Sequence, residues 1–175
     1  MDNKVKLPDI PMMAYHERLK IDEIIEKLKP KNCLEWGSGK STLYFPETHK
    51  DIIQRWDSIE HDEKWFKELM KNKLPTNVYL FYVKLPNYIT FPIHKYDFIF
   101  VDGIERIKCI QYVSINKLLN KKGVLILHDS GRTRYQTASN YFKNNKVLFK
   151  SVGIGSDGGP DFNGLTIFSD YLITI

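Results

Sequence analysis

Residues 32–42, NCLEWGSGKST, are the part of the sequence that decides the fold. The segment begins as a short apolar run typical of a buried strand, and it passes through Gly37 and Gly39 into a helical pattern. Glycines at these positions allow a sharp strand-to-helix turn and let a ligand approach the backbone closely. The N–H groups at the start of the helix would then face that ligand. The segment therefore predicts a strand, a binding loop and a helix in succession.

Strand-like and helix-like segments alternate along the rest of the chain. β-Branched and aromatic runs predict further strands at residues 55–60, 78–83, 96–101, 124–128, 147–152 and 165–169. Apolar spacing predicts helices at residues 21–28, 41–49 (interrupted near Pro46), 62–72, 105–119 and 134–144, and residues 86–95 look irregular. This alternation requires a mainly parallel sheet covered by helices on both faces. The last two strands have no helix between them, so we expect an α/β, Rossmann-like, seven-stranded sheet that ends in an antiparallel hairpin.

Length and composition indicate one globular domain. The chain has 175 residues, of which 42% are hydrophobic and 27% charged, and a domain of this size buries roughly 70% of its unfolded surface. No repeat or linker stands out, so we expect a single domain over residues 1–175, with a leader and helix in residues 1–30 and the core in residues 31–175. The net charge of +5 comes from scattered lysines, which favours a solvated surface over a nucleic-acid patch.

The cysteines and the N-terminus predict a reduced, cytoplasmic protein. Cys33 and Cys109 lie in apolar runs and in no metal-binding spacing, so both are expected in the core. The N-terminus is polar, and no apolar run reaches the roughly 18 residues that a membrane span needs. We therefore expect no membrane association.

An acidic residue at the tip of the next predicted strand points to a nucleoside. Glu60 follows Gly39 by 21 residues, and a carboxylate there can accept hydrogen bonds from both ribose hydroxyls. A phosphate-binding P-loop would need Gly at Leu34, and a nicotinamide site prefers Gly at Thr42, so both are disfavoured. The remaining alternative is that the glycines only make a tight turn and that Glu60 is a surface acid.

Together these features resemble the successive motifs of class I S-adenosylmethionine-dependent methyltransferases. The motifs are Glu35-x-Gly37-x-Gly39, Glu60 and the strands within residues 96–103 and 123–129, and the terminal hairpin resembles that family's antiparallel seventh strand. The resemblance implies that Glu35 and the backbone of residues 37–39 hold the methionine part of S-adenosylmethionine and that Glu60 holds the ribose. The expected cofactor site comprises Glu35, Gly37, Ser38, Gly39, Ser41, Thr42, Glu60, His61, Asp102 and Gly103.

Polar residues at two further strand tips predict a catalytic group beside the cofactor. Asp102 ends one strand, and His128 and Asp129 end the next, so all three should meet at one edge of the sheet. The imidazole pKa normally lies near neutrality, so His128 is a candidate general base. The two acids could instead cap the following turns. The spacing also resembles that of catechol-type methyltransferases, which hold Mg²⁺ with acids at these tips and an Asn. Ser130 stands at the Asn position here, so a Mg²⁺ ion held by the two acids with water and substrate is the less favoured alternative, and no metal is predicted.

Basic residues and the leader surround the same edge. Arg106, Arg132 and Arg134 lie just beyond the strand tips, and Arg suits a substrate carboxylate or phosphate, although each could equally be a solvated helix residue. Tyr15 and His16 are expected in a leader before the first helix, which either folds over the pocket or is a flexible terminus.

We therefore expect an enzyme that transfers a methyl group from S-adenosylmethionine to O or N of a small molecule or saccharide. No inserted substrate domain is evident, which disfavours nucleic acid as the acceptor. The alternative is a non-catalytic module of the same fold that binds a nucleoside or a protein, because fold does not fix function.

Overall fold

The computed structural model describes residues 10–142, 146–150, 153–154, 160–161 and 164–169, so the first nine residues of the expected leader lie outside it. Its strands are β1 (Asn32–Trp36), β2 (Arg55–Glu60), β3 (Val78–Tyr82), β4 (Tyr96–Val101), β5 (Leu119–Leu127), β6 (Lys146–Lys150), β7 (Gly153–Ile154), β8 (Pro160–Asp161) and β9 (Gly164–Phe168). Its helices are α1 (Tyr15–Leu28), α2 (Lys40–Thr48), α3 (Glu63–Leu69), α4 (Asn87–Thr90) and α5 (Arg106–Asn116), and a 3-10 helix spans Thr133–Asn140.

The described strands form a seven-stranded sheet in the order β3-β2-β1-β4-β5-β9-β6, and β7 pairs with β8 in a separate two-stranded sheet. Neighbouring strands from β3 to β5 are parallel, whereas β9 is antiparallel to both β5 and β6. The expected fold class is therefore confirmed, including the antiparallel strand near residues 165–169.

Each face of the sheet carries its own apolar core. Helices α1 and α2 cover one face, where Ile21, Ile25 and Phe45 pack with the strand residues Trp56 and Phe98. Helices α4 and α5 and the 3-10 helix cover the other face, in a cluster that includes Tyr88, Cys109, Ile110, Val113 and Ala138. Alternate side chains of each strand point to opposite faces, so every central strand contributes to both cores. Cys33 and Cys109 are both buried, as expected.

Several element boundaries differ from the sequence-based expectation. Helix α2 is continuous through the buried Pro46, which was expected to interrupt it. Tyr15 and His16 form the first turn of α1 and do not precede it, because the Glu17 side chain accepts a hydrogen bond from the backbone N–H of Ala14 and caps the helix at that point.

Polar and β-branched residues account for a second group of differences. The helix expected at residues 134–144 is a 3-10 helix over Thr133–Asn140, in a segment rich in Thr, Ser and Asn, whose side chains compete for backbone hydrogen bonds or lose freedom in an α-helix. Helix α5 ends at Asn116, three residues early, and Leu119 already belongs to β5.

None of the helices among the described residues has the length and apolar character that crossing a membrane requires.

Candidate functional site

A cavity of ≈ 530 Å³ lies at the carboxyl ends of β1, β2 and β4. Its walls are formed by residues 11–13, 37–41 and 60–62, Trp65 and residues 102–104. This edge of a parallel sheet is where α/β proteins bind their ligands, and the volume is in the range of ordinary small-molecule sites. The residues expected to bind a cofactor therefore gather here, apart from Glu35 and Thr42.

The two glycines of the binding loop serve different purposes. Gly37 has a φ of 94°, and a Cβ added there would overlap the backbone of Gly103 at the tip of β4. Gly37 is therefore required by packing between two strand tips as well as by backbone conformation. Among the described residues, a Cβ at Gly39 would meet only the Ser41 Oγ, at 3.9 Å, so there is open space beside Gly39 in the cavity wall.

Glu35 lies beneath the loop and is completely buried. Its carboxylate accepts hydrogen bonds from the side chains of Ser41, Thr42, Trp56 and Ser58. Burial raises the pKa of Glu35 to about 7, although these four hydrogen bonds act in the opposite direction. Thr42 is also buried, and its Oγ1 accepts a hydrogen bond from the backbone N–H of Gly39 at 2.9 Å. Both residues therefore fix the loop from below and do not line the cavity.

Glu60 lies in the cavity wall with one carboxylate oxygen already committed. Its Oε1 accepts hydrogen bonds from the backbone N–H groups of His61, at 2.8 Å, and Asp62, at 2.7 Å. Within the described part of the chain, the hydrogen bonds to this side chain all go to Oε1. Glu60 can thus offer its other oxygen, Oε2, to a ligand.

One residue of this cavity wall was not anticipated from the sequence. Trp65, which lies within the helix expected at residues 62–72, lines the cavity and donates its indole N–H to the backbone carbonyl of Ser38 at 2.7 Å. Met12 and Met13, from the segment before α1, complete another part of the wall, which is the arrangement expected if the leader folds over the pocket. The position of Trp65 in the first turn of the helix after Glu60 is the sequence signal that places it at the same edge.

The three residues expected to be catalytic do meet at this edge. The Nδ1 atom of His128 lies 2.7 Å from Oδ1 of Asp102, and Asp129 Oδ1 lies 3.9 Å from the same nitrogen. The other ring nitrogen, Nε2, lies 3.3 Å from Oε2 of Glu17 in the first turn of α1. Burial alone would lower the pKa of His128, but the hydrogen bonds to Asp102 and Glu17 outweigh it and raise the pKa to about 10.

This raised pKa changes the role that His128 can have. At neutral pH the imidazole is protonated, and both of its N–H groups are directed at carboxylates, so it has no nitrogen free to accept a proton. The near-neutral pKa on which the general-base prediction relied is therefore wrong. The pairing partner Glu17 lies in a different part of the chain and was not anticipated.

Arg106, a buried residue at the start of α5, joins the two strand tips. Its guanidinium lies 3.0 Å from Oδ1 of Asp102 and 3.3 Å from Oδ2 of Asp129. It also donates to the backbone carbonyls of Asp102, Gly103 and His128. Asp129 has a second cationic partner in Arg132, at 2.8 Å. Of the three expected catalytic residues, only Asp102 lines the cavity, because His128 and Asp129 are buried behind it.

Asp102, His128 and Asp129 have the spacing of a metal site, but a guanidinium lies between the two carboxylates. One ligand atom each of Asp102, His128 and Asp129 lies within 4.8 Å of the others. The guanidinium of Arg106 already bridges the two carboxylates, and His128 adds a second positive charge. The chemistry of this donor set therefore does not fit a divalent cation.

A second cavity, of ≈ 510 Å³, adjoins the first. It is lined by residues 103–107, Arg134 and Tyr135, so the two cavities share Gly103 and Ile104. The Tyr135 ring lies 5.2 Å from the guanidinium carbon of Arg106 and 4.9 Å from that of Arg134. We call this second cavity the basic cavity.

Comparison with solved structures identifies the architecture. The chain is similar to precorrin 8W decarboxylase from Methanobacterium thermoautotrophicum, with 17% identity, a TM-score of 0.62, and coverage of 94% of this chain and 96% of that one. It is similar to an O-methyltransferase from Bacillus cereus in complex with SAH (15% identity, TM-score 0.61, coverage 92% and 85%). It is also similar to the N-methyltransferase NodS from Bradyrhizobium japonicum WM9 in complex with S-adenosyl-L-homocysteine (15% identity, TM-score 0.59, coverage 90% and 88%).

Sequence comparison adds no closer relative. No protein-family model and no curated protein sequence matches the chain. At identities of 15–17%, the structural matches establish the fold and leave the activity to be argued from the site. The chain has the Rossmann-like fold of S-adenosylmethionine-dependent methyltransferases.

Proposed function

We propose that this protein is an S-adenosylmethionine-dependent methyltransferase that acts on O or N of a small molecule or saccharide. One observation carries the proposal: eight of the ten residues that the sequence singles out for the cofactor line one cavity, among them Asp102, which the sequence also singles out for catalysis. The cavity lies at the edge of the sheet where this fold binds ligands. The O- and N-methyltransferases among the similar structures support the same class of reaction.

The residues of the first cavity fit S-adenosylmethionine. The loop of residues 37–41 would hold the methionine part through its backbone, and Glu60 Oε2 would accept hydrogen bonds from the ribose hydroxyls. Glu35 and Thr42 act indirectly, because they hold the loop in place from below. When bound, the cofactor supplies an electrophilic methyl group.

Asp102 is the residue that we propose to contact the acceptor. Its Oδ1 is held by His128 and Arg106, while among the described hydrogen bonds its Oδ2 accepts none, and the residue lines the cavity. We propose that Oδ2 accepts a hydrogen bond from the acceptor O–H or N–H and directs the acceptor lone pair toward the cofactor. Such positioning is a large part of catalysis in group transfer. His128 and Asp129 are positioning residues, since neither reaches the cavity.

We further propose that the reaction needs no metal ion. In a metal-dependent arrangement, a divalent cation would neutralise the carboxylates of Asp102 and Asp129 and orient them. In this chain, the guanidinium of Arg106 lies between those carboxylates and performs both tasks.

Calorimetry followed by a turnover assay tests the proposal. S-adenosylmethionine and S-adenosylhomocysteine should each bind with one site per chain. Incubation with a panel of hydroxylated and amino-bearing small molecules should then produce S-adenosylhomocysteine. Absence of cofactor binding in the folded protein would overturn the proposal, and binding without turnover on a broad panel would favour the non-catalytic module.

A further inference from the structure

We infer that the basic cavity binds the methyl acceptor and that this acceptor carries an anionic group, a carboxylate or a phosphate. The inference rests on the proposed function, because an acceptor site requires a methyl donor in the adjoining cavity. Three observations support it: the position of the basic cavity, the excess positive charge of its wall, and the contact that holds Arg134 at the cavity.

The position of the basic cavity matches what methyl transfer requires. The basic cavity and the cofactor cavity share the backbone of Gly103 and Ile104. Asp102 borders the cofactor cavity directly before this shared edge, and Arg106 borders the basic cavity two residues after it. A molecule in the basic cavity can therefore present an oxygen or nitrogen at the shared edge, within reach of Asp102 and of the proposed methyl donor. Reacting atoms must meet in this way for transfer to occur.

The wall of the basic cavity has one positive charge in excess. The carboxylate of Glu105 faces Lys108 at 2.9 Å, and Arg106 is neutralised by the carboxylates that it bridges. Among the side chains that the structure describes, Arg134 has no carboxylate partner, whereas the nearby Arg132 is paired with Asp129. A guanidinium with open donors matches the geometry of a carboxylate or phosphate and binds either in a two-point arrangement.

Tyr135 holds Arg134 at the cavity without neutralising it. The guanidinium carbon of Arg134 lies 4.9 Å from the centre of the Tyr135 ring, and that of Arg106 lies 5.2 Å from it. Both distances are those of cation–π contacts. Such contacts restrict the arginine side chain, so less freedom is lost when an anion binds. Ile104 and Ile107 supply an apolar part of the wall. The expected acceptor therefore combines one anionic group, a small apolar body and a hydroxyl or amine.

Matched anionic and neutral probes test this inference directly. The probes are para-hydroxybenzoate and lactate, their neutral amides para-hydroxybenzamide and lactamide, and phenyl phosphate as the phosphate arm. Binding is measured by ligand-observed NMR, with and without S-adenosylhomocysteine, whose own binding is first measured by calorimetry. We expect at least one anion to bind about tenfold or more tightly than its neutral counterpart, since charge-assisted hydrogen bonds are about twice as strong as neutral ones. Tighter binding of a carboxylate than of its amide identifies the anionic group of the acceptor as a carboxylate. Binding of phenyl phosphate without binding of either carboxylate identifies that group as a phosphate.

Substitutions of Arg134 separate this site from general attraction to a basic protein. Arg134 is exposed, so Arg134→Gln should leave the fold intact while weakening the binding of that anion about tenfold. Arg134→Lys should retain part of the affinity because it keeps the charge. The matched control is Lys50→Gln, which removes an exposed charge just beyond the far end of α2 and should change nothing.

The outcomes of the two measurements are distinguishable. Anions that bind no better than their amides, or equally well to Arg134→Gln, overturn the inference even when S-adenosylhomocysteine binds. Failure of S-adenosylhomocysteine to bind overturns the proposed function instead, and with it the acceptor role of the basic cavity. Arg134-dependent anion binding together with cofactor binding supports both.

Discussion

Glu17 and His128 are separated by 111 residues in sequence, yet Oε2 of Glu17 lies 3.3 Å from Nε2 of His128. The same oxygen accepts a hydrogen bond from the backbone N–H of Ala14 at 3.1 Å, so the start of α1 is tied to the tip of β5. Met12 and Met13 directly precede this point and line the cofactor cavity. The buried ion pair therefore fixes one wall of the cavity as well as the imidazole.

The first prediction concerns the charge state of His128. Asp102, Glu17 and Asp129 surround the ring and raise its pKa to about 10, despite burial. Because the folded pKa lies above the ordinary value near 6.5, the ring contributes stability that is fully present below about pH 6.5 and is lost as pH rises through about 10. In NMR spectra the imidazole signals should therefore show no titration across the neutral range. The free energy of unfolding should fall as the solution becomes more alkaline.

The control for this titration is Asp102→Asn, which removes the closest carboxylate and should lower the pKa of His128. His49 also has a raised pKa, because it pairs with Asp22 and Glu26, so its resonances must be assigned separately with His49→Asn. An imidazole of His128 that titrates near its ordinary value in the folded protein would contradict the ion-paired arrangement.

The second prediction separates the two loop glycines. Gly37→Ala should lower the free energy of unfolding by about 2 kcal/mol or more, because its Cβ would overlap the backbone of Gly103 and its positive φ disfavours alanine. Gly39→Val should change stability by about 1 kcal/mol or less, since the backbone there is extended and the space is open. The Val side chain should nevertheless weaken S-adenosylmethionine binding at least tenfold, about 1.4 kcal/mol. Urea unfolding and calorimetry measure the two effects, and the opposite pattern would refute this division of roles.

The sheet and the binding edge could be predicted from sequence because their signals are local. The apolar strands, the turn at Gly37 and Gly39 and the acid at the tip of β2 can each be recognised from a few consecutive residues. Parallel topology then brings the strand ends to one edge without further information. The same reasoning placed Glu60 and Asp102 correctly in the cavity wall.

The remaining features depend on contacts that no local pattern records. The pKa of His128 is set by Glu17 in another element, and Arg106 bridges two strand tips from the start of a helix. The family resemblance implied a ligand contact for Glu35, whereas its complete burial and four side-chain donors make it an anchor of the loop. Sequence thus indicated which residues would gather and left the partners of each side chain undetermined.

The third prediction concerns Glu60. In Glu60→Gln the amide oxygen can keep the hydrogen bonds from the backbone N–H groups of His61 and Asp62, which leaves the amide NH₂ facing the ligand in place of Oε2. Loss of a charged acceptor should weaken S-adenosylmethionine binding by roughly 1.5 kcal/mol, about tenfold, with little change in stability. Calorimetry with S-adenosylmethionine measures the loss.

Glu63→Gln is the matched control for this substitution. It removes the same charge from an exposed position in the first turn of α3, where Lys67 is its partner, and it should leave cofactor affinity unchanged. Equal affinities of the wild type and Glu60→Gln would show that Glu60 does not hold the ribose.

The fourth prediction tests whether Arg106 takes the place that a metal ion would have. Magnesium should leave the midpoint of thermal unfolding of the wild type unchanged, because the guanidinium already lies between Asp102 and Asp129. Arg106→Gln leaves the buried Asp129 and the partly exposed Asp102 without their shared cation, which should cost about 3 kcal/mol of stability, the lower end of the range for a buried pair. In that variant magnesium should raise the unfolding midpoint by mass action, and a chelator should reverse the increase.

Arg132→Gln provides the matched control for the magnesium experiment. It also removes a guanidinium partner of Asp129, but the bridge through Arg106 remains, so magnesium should have no effect. Stabilisation of the wild type by magnesium would mean that the carboxylates at the two strand tips form a metal site, and the proposal of a metal-independent reaction would fail. A magnesium effect confined to Arg106→Gln would instead show that one arginine decides between the two arrangements, because the carboxylates are the same in all three proteins.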